Sequence, residues 1–376
     1  MWRGADSVEH DDGRPFAPSM LMWRLTGLAV LLTTLSSPGA EAAAAPDLTA
    51  LTARLEQIVR TSPGDVGVAL THVETGAHLS IHGDQRFPMA SVYKLPIAVE
   101  ALAQVAEGKL ELSRAVTLWP NDIRACCTLS RRYPRGGVTL TLGDLIELMM
   151  IESDNSAVDA VLKLVGGPAV VEQRLRAQGF KDININRYDA QISLEMTGVR
   201  ELVADSDWTL ELQRRLIAAV TPADLRDARA RYTTSDPRDT TTPDDMAALL
   251  VRLQRGVLLP WPYGEQLIER MSHAKTGARR LKARLPPDTV VAHKTGTTDV
   301  VINDVGVITL PESGGHLVLA VFVKNGGQRA TMARAIAEIA AASYESFTGT
   351  RLQPPPPPKA IKAARKKPAH QRRPAK

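Results

Sequence analysis

Strand-like patterning occurs only at the two ends of the body of this chain, with a helical stretch between, and this restricts the fold more than any other feature. Val66, Val68 and Leu70 alternate with other residues, Glu74-Thr75-Gly76 supplies a turn, and Leu79 and Ile81 resume the alternation, which predicts a β-hairpin. Strand signals return at 289–292, 305–310 and 316–323, and a helix over 329–346 closes the body. Between these, 96–108, 141–152, 156–165 and 168–178 read as helices, the second capped by Thr141 with Asp144 three residues on. An amphipathic helix capped by Asp47 is expected over 47–60. Strands half-buried in this way must share a sheet. The two ends should therefore build one α/β lobe (46–85 and 273–352), with an all-helical lobe (86–272) inserted between its halves.

The formal charge of +5 suggests a nucleic-acid partner until its placement is examined. Residues 353–376 carry eight Lys/Arg and no acid, which leaves the body near neutrality and without a basic binding face. That tail opens with five prolines and is expected to be disordered. Its charge suits contact with anionic cell-envelope polymer, although a solvated tail is the simpler reading. Residues 1–45 form a leader. Within it, Met22-Trp23-Arg24, an apolar run over 25–37 and Ala40-Glu41-Ala42 have the three parts of a secretory signal, which predicts export to the periplasm or the medium. The run is too short to span a bilayer. Residues 1–18 are polar and acidic, so the true start is expected at Met20 or Met22.

The two cysteines, Cys126 and Cys127, are adjacent. Neighbouring Cα atoms lie ~3.8 Å apart, below the usual disulfide range of roughly 4.4–6.8 Å, so an ordinary staple between them is not expected and their redox state stays open. The eight histidines form no H-E-x-x-H, and His78 with His82 reads as an exposed strand face, so neither metal nor cofactor is expected. No G-x-S-x-G surrounds any serine, which argues against an α/β-hydrolase elbow. A monomer is expected.

The chemistry lies in three short motifs. Ser91 and Lys94, in Ser91-Val92-Tyr93-Lys94, sit one helical turn apart on one face. A serine hydroxyl needs a base, and a lysine serves once its pKa is lowered. Ser153-Asp154-Asn155 falls between two helices, where it is also good capping chemistry; Asn155 could orient a substrate amide and Ser153 pass a proton to a leaving nitrogen. Lys294-Thr295-Gly296-Thr297 directly follows strand-like residues, with Lys294 able to present its ammonium to Ser153 and to a carboxylate, and Gly296 leaving space for a substrate backbone. The earlier Lys275-Thr276-Gly277 lacks a strand to hold it and is discounted.

Each motif is weak alone, but the three in this order resemble the class A β-lactamases and penicillin-binding proteins. The resemblance runs from about residue 47 to 347, and Asp239-Thr240-Thr241-Thr242-Pro243, similar to the segment closing the class A Ω loop, favours the β-lactamase side. It implies a β-lactamase/transpeptidase-like fold: an antiparallel sheet formed from both chain ends, flanked by helices, with the inserted helical lobe. It also implies a β-lactam substrate and a Ser91 acyl-enzyme assisted by Lys94. Ser153 and Asn155 would handle proton and amide, Lys294 and Thr295 would line the carboxylate side, and the N–H groups of Ser91 and Thr297 would form the oxyanion hole. Arg280 resembles the arginine by which some members hold the substrate carboxylate.

The Ω loop departs from the family pattern. Its best match, Arg187-Tyr188-Asp189-Ala190-Gln191-Ile192-Ser193, places Asp189 where a glutamate is expected and Ser193 where an asparagine helps hold the water. Glu195 is a rival for the base. Arg187 and Asp239 look like the ion pair that pins the loop ends. The loop (187–239) is enlarged: 45 residues separate Ser193 from Asp239, and 210–219 and 222–231 read as extra helices. The expected activity is thus an exported serine β-lactamase with slow deacylation. The alternatives are a D-alanyl-D-alanine peptidase or a penicillin-binding protein that acylates without turning over.

Overall fold

The computed structural model describes residues 46–201 and 203–353. The expected signal segment and the basic tail lie outside the described residues. The strands are β1 (Asp65–His72), β2 (His78–Ile81), β3 (Phe87–Pro88), β4 (Ala115–Leu118), β5 (Val138–Thr141), β6 (Thr240–Thr241), β7 (Val291–Thr297), β8 (Val301–Thr309) and β9 (His316–Lys324). The helices are α1 (Leu48–Thr61), α2 (Lys94–Ala106), α3 (Cys127–Arg132), α4 (Leu142–Glu147), α5 (Asn155–Leu164) and α6 (Pro168–Ala177). Then come α7 (Asp189–Met196), α8 (Leu210–Ala218), α9 (Pro222–Thr234), α10 (Pro243–Gln254), α11 (Tyr263–Ser272) and α12 (Arg329–Thr348).

Five strands form an antiparallel sheet in the order β2-β1-β9-β8-β7, so the two ends of the chain do share one sheet. Alternation along β1 sends Val66, Val68 and Leu70 to the face covered by α1 and α12, and Ala69 to the face that packs on the helices of the middle. The inner strands β8 and β9 are buried on both faces; β9 reads as a nearly unbroken apolar run, whereas β8 carries buried Asn303 and Asp304 in its first half. Asp47 caps α1 through the N–H groups of Thr49 and Ala50, and Thr141 and Asp144 form a reciprocal capping box at α4.

Several expectations are corrected. The inserted lobe of 86–272 is not all-helical, because it carries two short antiparallel pairs, β3 with β6 and β4 with β5, whose few residues give too little alternation to read from the sequence. Lys294-Thr295-Gly296-Thr297 does not follow its strand but lies inside it, because β7 continues to pair with β8 from Lys294↔Val305 to Thr297↔Ile302. The stretch 141–152 changes from α4 into a wider π turn, Leu148–Glu152, ending at Ser153. Helices α10 and α11 fill a region that the sequence reading left blank. His78 is exposed on β2, but His82 lies past the strand, in a positive-φ turn, with its Nδ1 2.8 Å from the Val66 carbonyl.

Cys126 and Cys127 are joined by a disulfide, against expectation. Both residues adopt positive φ, 92° and 78°, a turn that carries the two side chains to the same side. The usual Cα separation describes bridges between distant segments and does not govern this local ring.

Candidate active site

Ser91 sits in a 3-10 turn, Ala90–Tyr93, that runs directly into α2. Ala90 before it has φ 46°, and Ser153 has φ 60°; two non-glycine residues in the left-handed region at one site mark backbone held by its surroundings. Packing holds the turn: Asn303 on β8 donates through Nδ2 to the carbonyls of Pro88 at 2.8 Å and Met89 at 3.1 Å. On β7, a Cβ at Gly296 would collide with the Met89 carbonyl oxygen and crowd Ala90. This corrects the reading of Gly296. The space freed there is taken by the chain before Ser91, not by a substrate, and the close approach brings the end of β7 alongside the Ser91 turn.

Lys94 is fully buried and donates through Nζ to the Ser153 carbonyl at 2.6 Å, to Asn155 Oδ1 at 2.7 Å and to Ser153 Oγ at 3.3 Å. Burial pushes its amine below the ordinary lysine range, against the pull of Asp189, Asp154 and Asp159. Lys294, also buried, donates to Ser153 Oγ at 2.9 Å and to the Thr295 carbonyl at 3.1 Å. Burial first, then the charge of Lys94, drives its pKa well down. One hydroxyl, Ser153 Oγ, thus faces two lysines. Asn155 completes the group by donating through Nδ2 to the Ala125 carbonyl at 3.3 Å, next to the disulfide.

Asp189 opens α7 and is buried, with Ser193 Oγ donating to its Oδ2 at 3.2 Å. Burial raises its pKa to about 7; Lys94 opposes the shift and Asp159 adds to it. The rival carboxylate faces elsewhere. Glu195 accepts from Arg187 and from Arg238, each at 2.7 Å. Arg187 also donates through Nε to Asp239 Oδ2 at 2.6 Å, so the loop ends are joined as the resemblance implied. Between them, the expected extra helical pieces are α8 and α9.

Arg280 is nine-tenths buried and donates to the carbonyls of Gly296 at 3.0 Å and Asn303 at 2.7 Å and to Thr297 Oγ1 at 2.5 Å. It braces the end of β7. Thr295 Oγ1 lies 2.7 Å from Thr276 Oγ1, so the earlier Lys275-Thr276-Gly277 backs β7 while Lys275 itself pairs with Glu152. The sequence reading missed Asp159 and Arg124. Asp159 accepts the backbone N–H groups of Asp189 at 2.6 Å and Ala190 at 3.2 Å, and Arg124 Nε donates to it at 2.6 Å. Among the described residues no cluster of side chains could hold a metal ion, and no helix is long and apolar enough to cross a membrane.

Residues 50–347 match the model of the β-lactamase enzyme family. Similar proteins include β-lactamase VEB-1 of Pseudomonas aeruginosa, 30% identical over 73% of this chain and 82% of the relative. The extended-spectrum β-lactamase PER-1 of the same organism is 29% identical over 78% of this chain and 85% of the relative. Among solved structures, an ancestral class A β-lactamase superposes with a TM-score of 0.65 at 29% identity, covering 79% of this chain and all of that one. A β-lactamase from Chitinophaga pinensis gives 0.65 at 28%, over 79% and 99%.

Proposed function

The chain belongs to the β-lactamase enzyme family, and on that premise we propose that it hydrolyses β-lactams through an acyl-enzyme on Ser91 whose breakdown is slow. The observation that carries the residue roles is the convergence of Lys94 and Lys294 on Ser153 Oγ. Burial, which lowers the Lys94 pKa, favours the uncharged amine that takes the Ser91 proton as Oγ attacks the lactam carbonyl. The C–N bond then breaks, and Ser153, polarised by Lys294, passes its proton to the departing nitrogen and regains one from Lys94, whose Nζ lies 3.3 Å from its Oγ. The backbone N–H groups of Ser91 and Thr297 receive the oxyanion, and Thr295 and Lys294 line the carboxylate side. Arg280 acts through Thr297 and the β7 backbone.

Asp189 takes a proton from the water whose oxygen attacks the ester, and the bond to Ser91 Oγ breaks as that proton is returned to the serine oxygen, which restores the free enzyme. Aspartate is one methylene shorter than glutamate, so its carboxylate falls about 1 Å short unless the backbone moves in, and such a misplacement costs on the order of 10²-fold. The leader at 20–42 directs export to the periplasm or medium, where the protein acts as a monomer, and the basic tail suits anionic envelope polymer. The cleft lies at the seam between the lobe of 46–85 and 273–352 and the lobe of 86–272.

The test follows a chromogenic cephalosporin and the intact mass of the protein together. A burst, then slow turnover with an adduct on Ser91, is the expected result. A permanent adduct without turnover would replace hydrolysis by sequestration, release of D-alanine from a wall peptide would indicate a peptidase, and absence of any adduct would remove all three readings.

A further inference from the structure

A cavity of about 470 Å³ lies behind α7, lined by none of Ser91, Lys94, Ser153, Asp189 or Lys294. Its volume is within the range of roughly 300–1,000 Å³ usual for small-molecule sites. Helix α7 is the partition. Ala190, Gln191 and Leu194 line the cavity, whereas Asp189 and Ser193 point to the other side and bond to each other. The remaining apolar wall is Val199, Trp208, Ala228 and Tyr232, all buried, supplied by the segment between the ends of the Ω loop. The Trp208 ring is fixed by its Nε1 donating to the Ile123 carbonyl at 2.9 Å.

The polar wall is of two kinds. Arg187 and Arg238 are consumed by Asp236, Asp239 and Glu195. Arg200 and Arg231 are exposed: Arg200 reaches only Asp224, at 3.7 Å across solvent, and Arg231 makes no ion pair among the described residues. Asp224, which pairs with Arg200, and Glu201 balance the two guanidiniums formally, and Arg231 is the one of the pair that carries no ion pair among the described residues. An apolar body whose negative head meets the open Arg231 guanidinium, with Arg200 beside it, matches this lining.

We propose that this cavity binds a small amphipathic monoanion, its apolar body against Trp208 and Leu194 and its carboxylate or sulfonate on Arg200 and Arg231, and that occupancy shifts α7 and so sets the rate of deacylation. The second half rests on the role given to Asp189 above. An occupant packed on one face of a two-turn helix moves the carboxylate on the other, and a shift of about 1 Å at a catalytic base is enough to change a rate.

The probe is 1-anilinonaphthalene-8-sulfonate, whose fluorescence rises in an apolar site, titrated into the full chain beside the uncharged N-phenyl-1-naphthylamine. One saturable site is expected. The exposed pair Arg200→Glu and Arg231→Glu should weaken the sulfonate at least about tenfold, roughly 1.4 kcal/mol, and leave the neutral probe unaffected. Acylation of Ser91 by a penicillin should not displace either probe, and Ser91→Ala should bind both normally. Saturating sulfonate should change the lifetime of the Ser91 adduct by about threefold or more without altering acylation. No saturable binding, equal loss of both probes in the charge variant, or displacement by the penicillin would each overturn the site. Normal binding with an unchanged adduct lifetime would overturn the coupling alone. If no adduct forms at all, the hydrolase reading fails while the probe titration still decides the site.

Discussion

Asp159 accepts the backbone N–H of Asp189 at 2.6 Å, so the carboxylate proposed as the deacylation base stands on a helix whose first turn is capped by a second buried carboxylate. That cap is held in turn by Arg124, whose guanidinium also lies over the Trp208 ring at 4.8 Å. Asp159 therefore acts on Asp189 in two ways: it fixes the start of α7, and its charge lifts the Asp189 pKa.

Removing Arg124 leaves the Asp159 charge buried without its ion pair. Arg124→Ala is expected to cost about 3–5 kcal/mol, read as a loss of melting temperature. Asp159→Asn keeps one acceptor and should fold. It should slow deacylation and move the pH midpoint of that step downward, because the charge that raised Asp189 is gone. A purely structural Asp159 would lower stability and leave the midpoint in place.

The raised pKa of Asp189 fixes the sign of the pH dependence. A base must be ionised, so the deacylation rate should rise with pH through about 7, and the rate of Asp189→Asn should lack that rise. Stability runs the other way. A carboxyl whose folded pKa exceeds its unfolded value contributes fully below about 3.9, and the contribution is lost as pH climbs to about 7. Thermal melts of Asp189→Asn should accordingly match the parent in acid and exceed it above neutrality.

Lys94 separates acylation from folding. Ser91→Ala should form no adduct, and Lys94→Ala should acylate slower by orders of magnitude, on the order of 10²–10⁴-fold, while remaining folded. Burial disfavours the charged form of Lys94, as its lowered pKa reflects, and this offsets its bonds to Ser153 and Asn155. Normal acylation in Lys94→Ala, followed by stopped-flow mass measurement, would assign the base elsewhere.

What the sequence revealed and concealed follows one physical division. Ser91, Lys94, Ser153 and Asn155 were legible because each pair is close along the chain and sits at an element boundary, where spacing determines direction. The sheet was legible where its inner strands are apolar on both faces, along β9 and the second half of β8, and not at 301–304, where Asn303 and Asp304 are buried polar residues. Asp159 was not, since a carboxylate in mid-helix looks like a solvated one until a segment 30 residues on places two N–H groups against it. Gly296 was identified, but its neighbour was not: only the fold brings Met89, far along the chain, into the space that a Cβ would need. The cysteine pair was misjudged because bond feasibility was taken from Cα separation, while the positive φ values that bring the side chains together are a tertiary outcome.

The two carboxylates of α7 give the last prediction. Asp189 is buried beside Lys94's charge and bonded to Ser193, whereas Glu195 is held by Arg187 and Arg238 among the charges that join the loop ends. Asp189→Asn should lengthen the lifetime of the Ser91 adduct. Asp189→Glu should shorten it if the backbone stands where the family's glutamate needs it, since the added methylene restores the missing reach. Glu195→Gln should leave the lifetime nearly unchanged, because the side chain faces the loop closure, and should cost stability instead: Arg187 and Arg238 lose a charged acceptor, an effect of roughly 1–3 kcal/mol for the partly buried partner. Intact-mass decay after a single addition of β-lactam reads all three. Decay that stops in Glu195→Gln and persists in Asp189→Asn would hand the role of base to Glu195 and require the loop to refold around the acyl-enzyme.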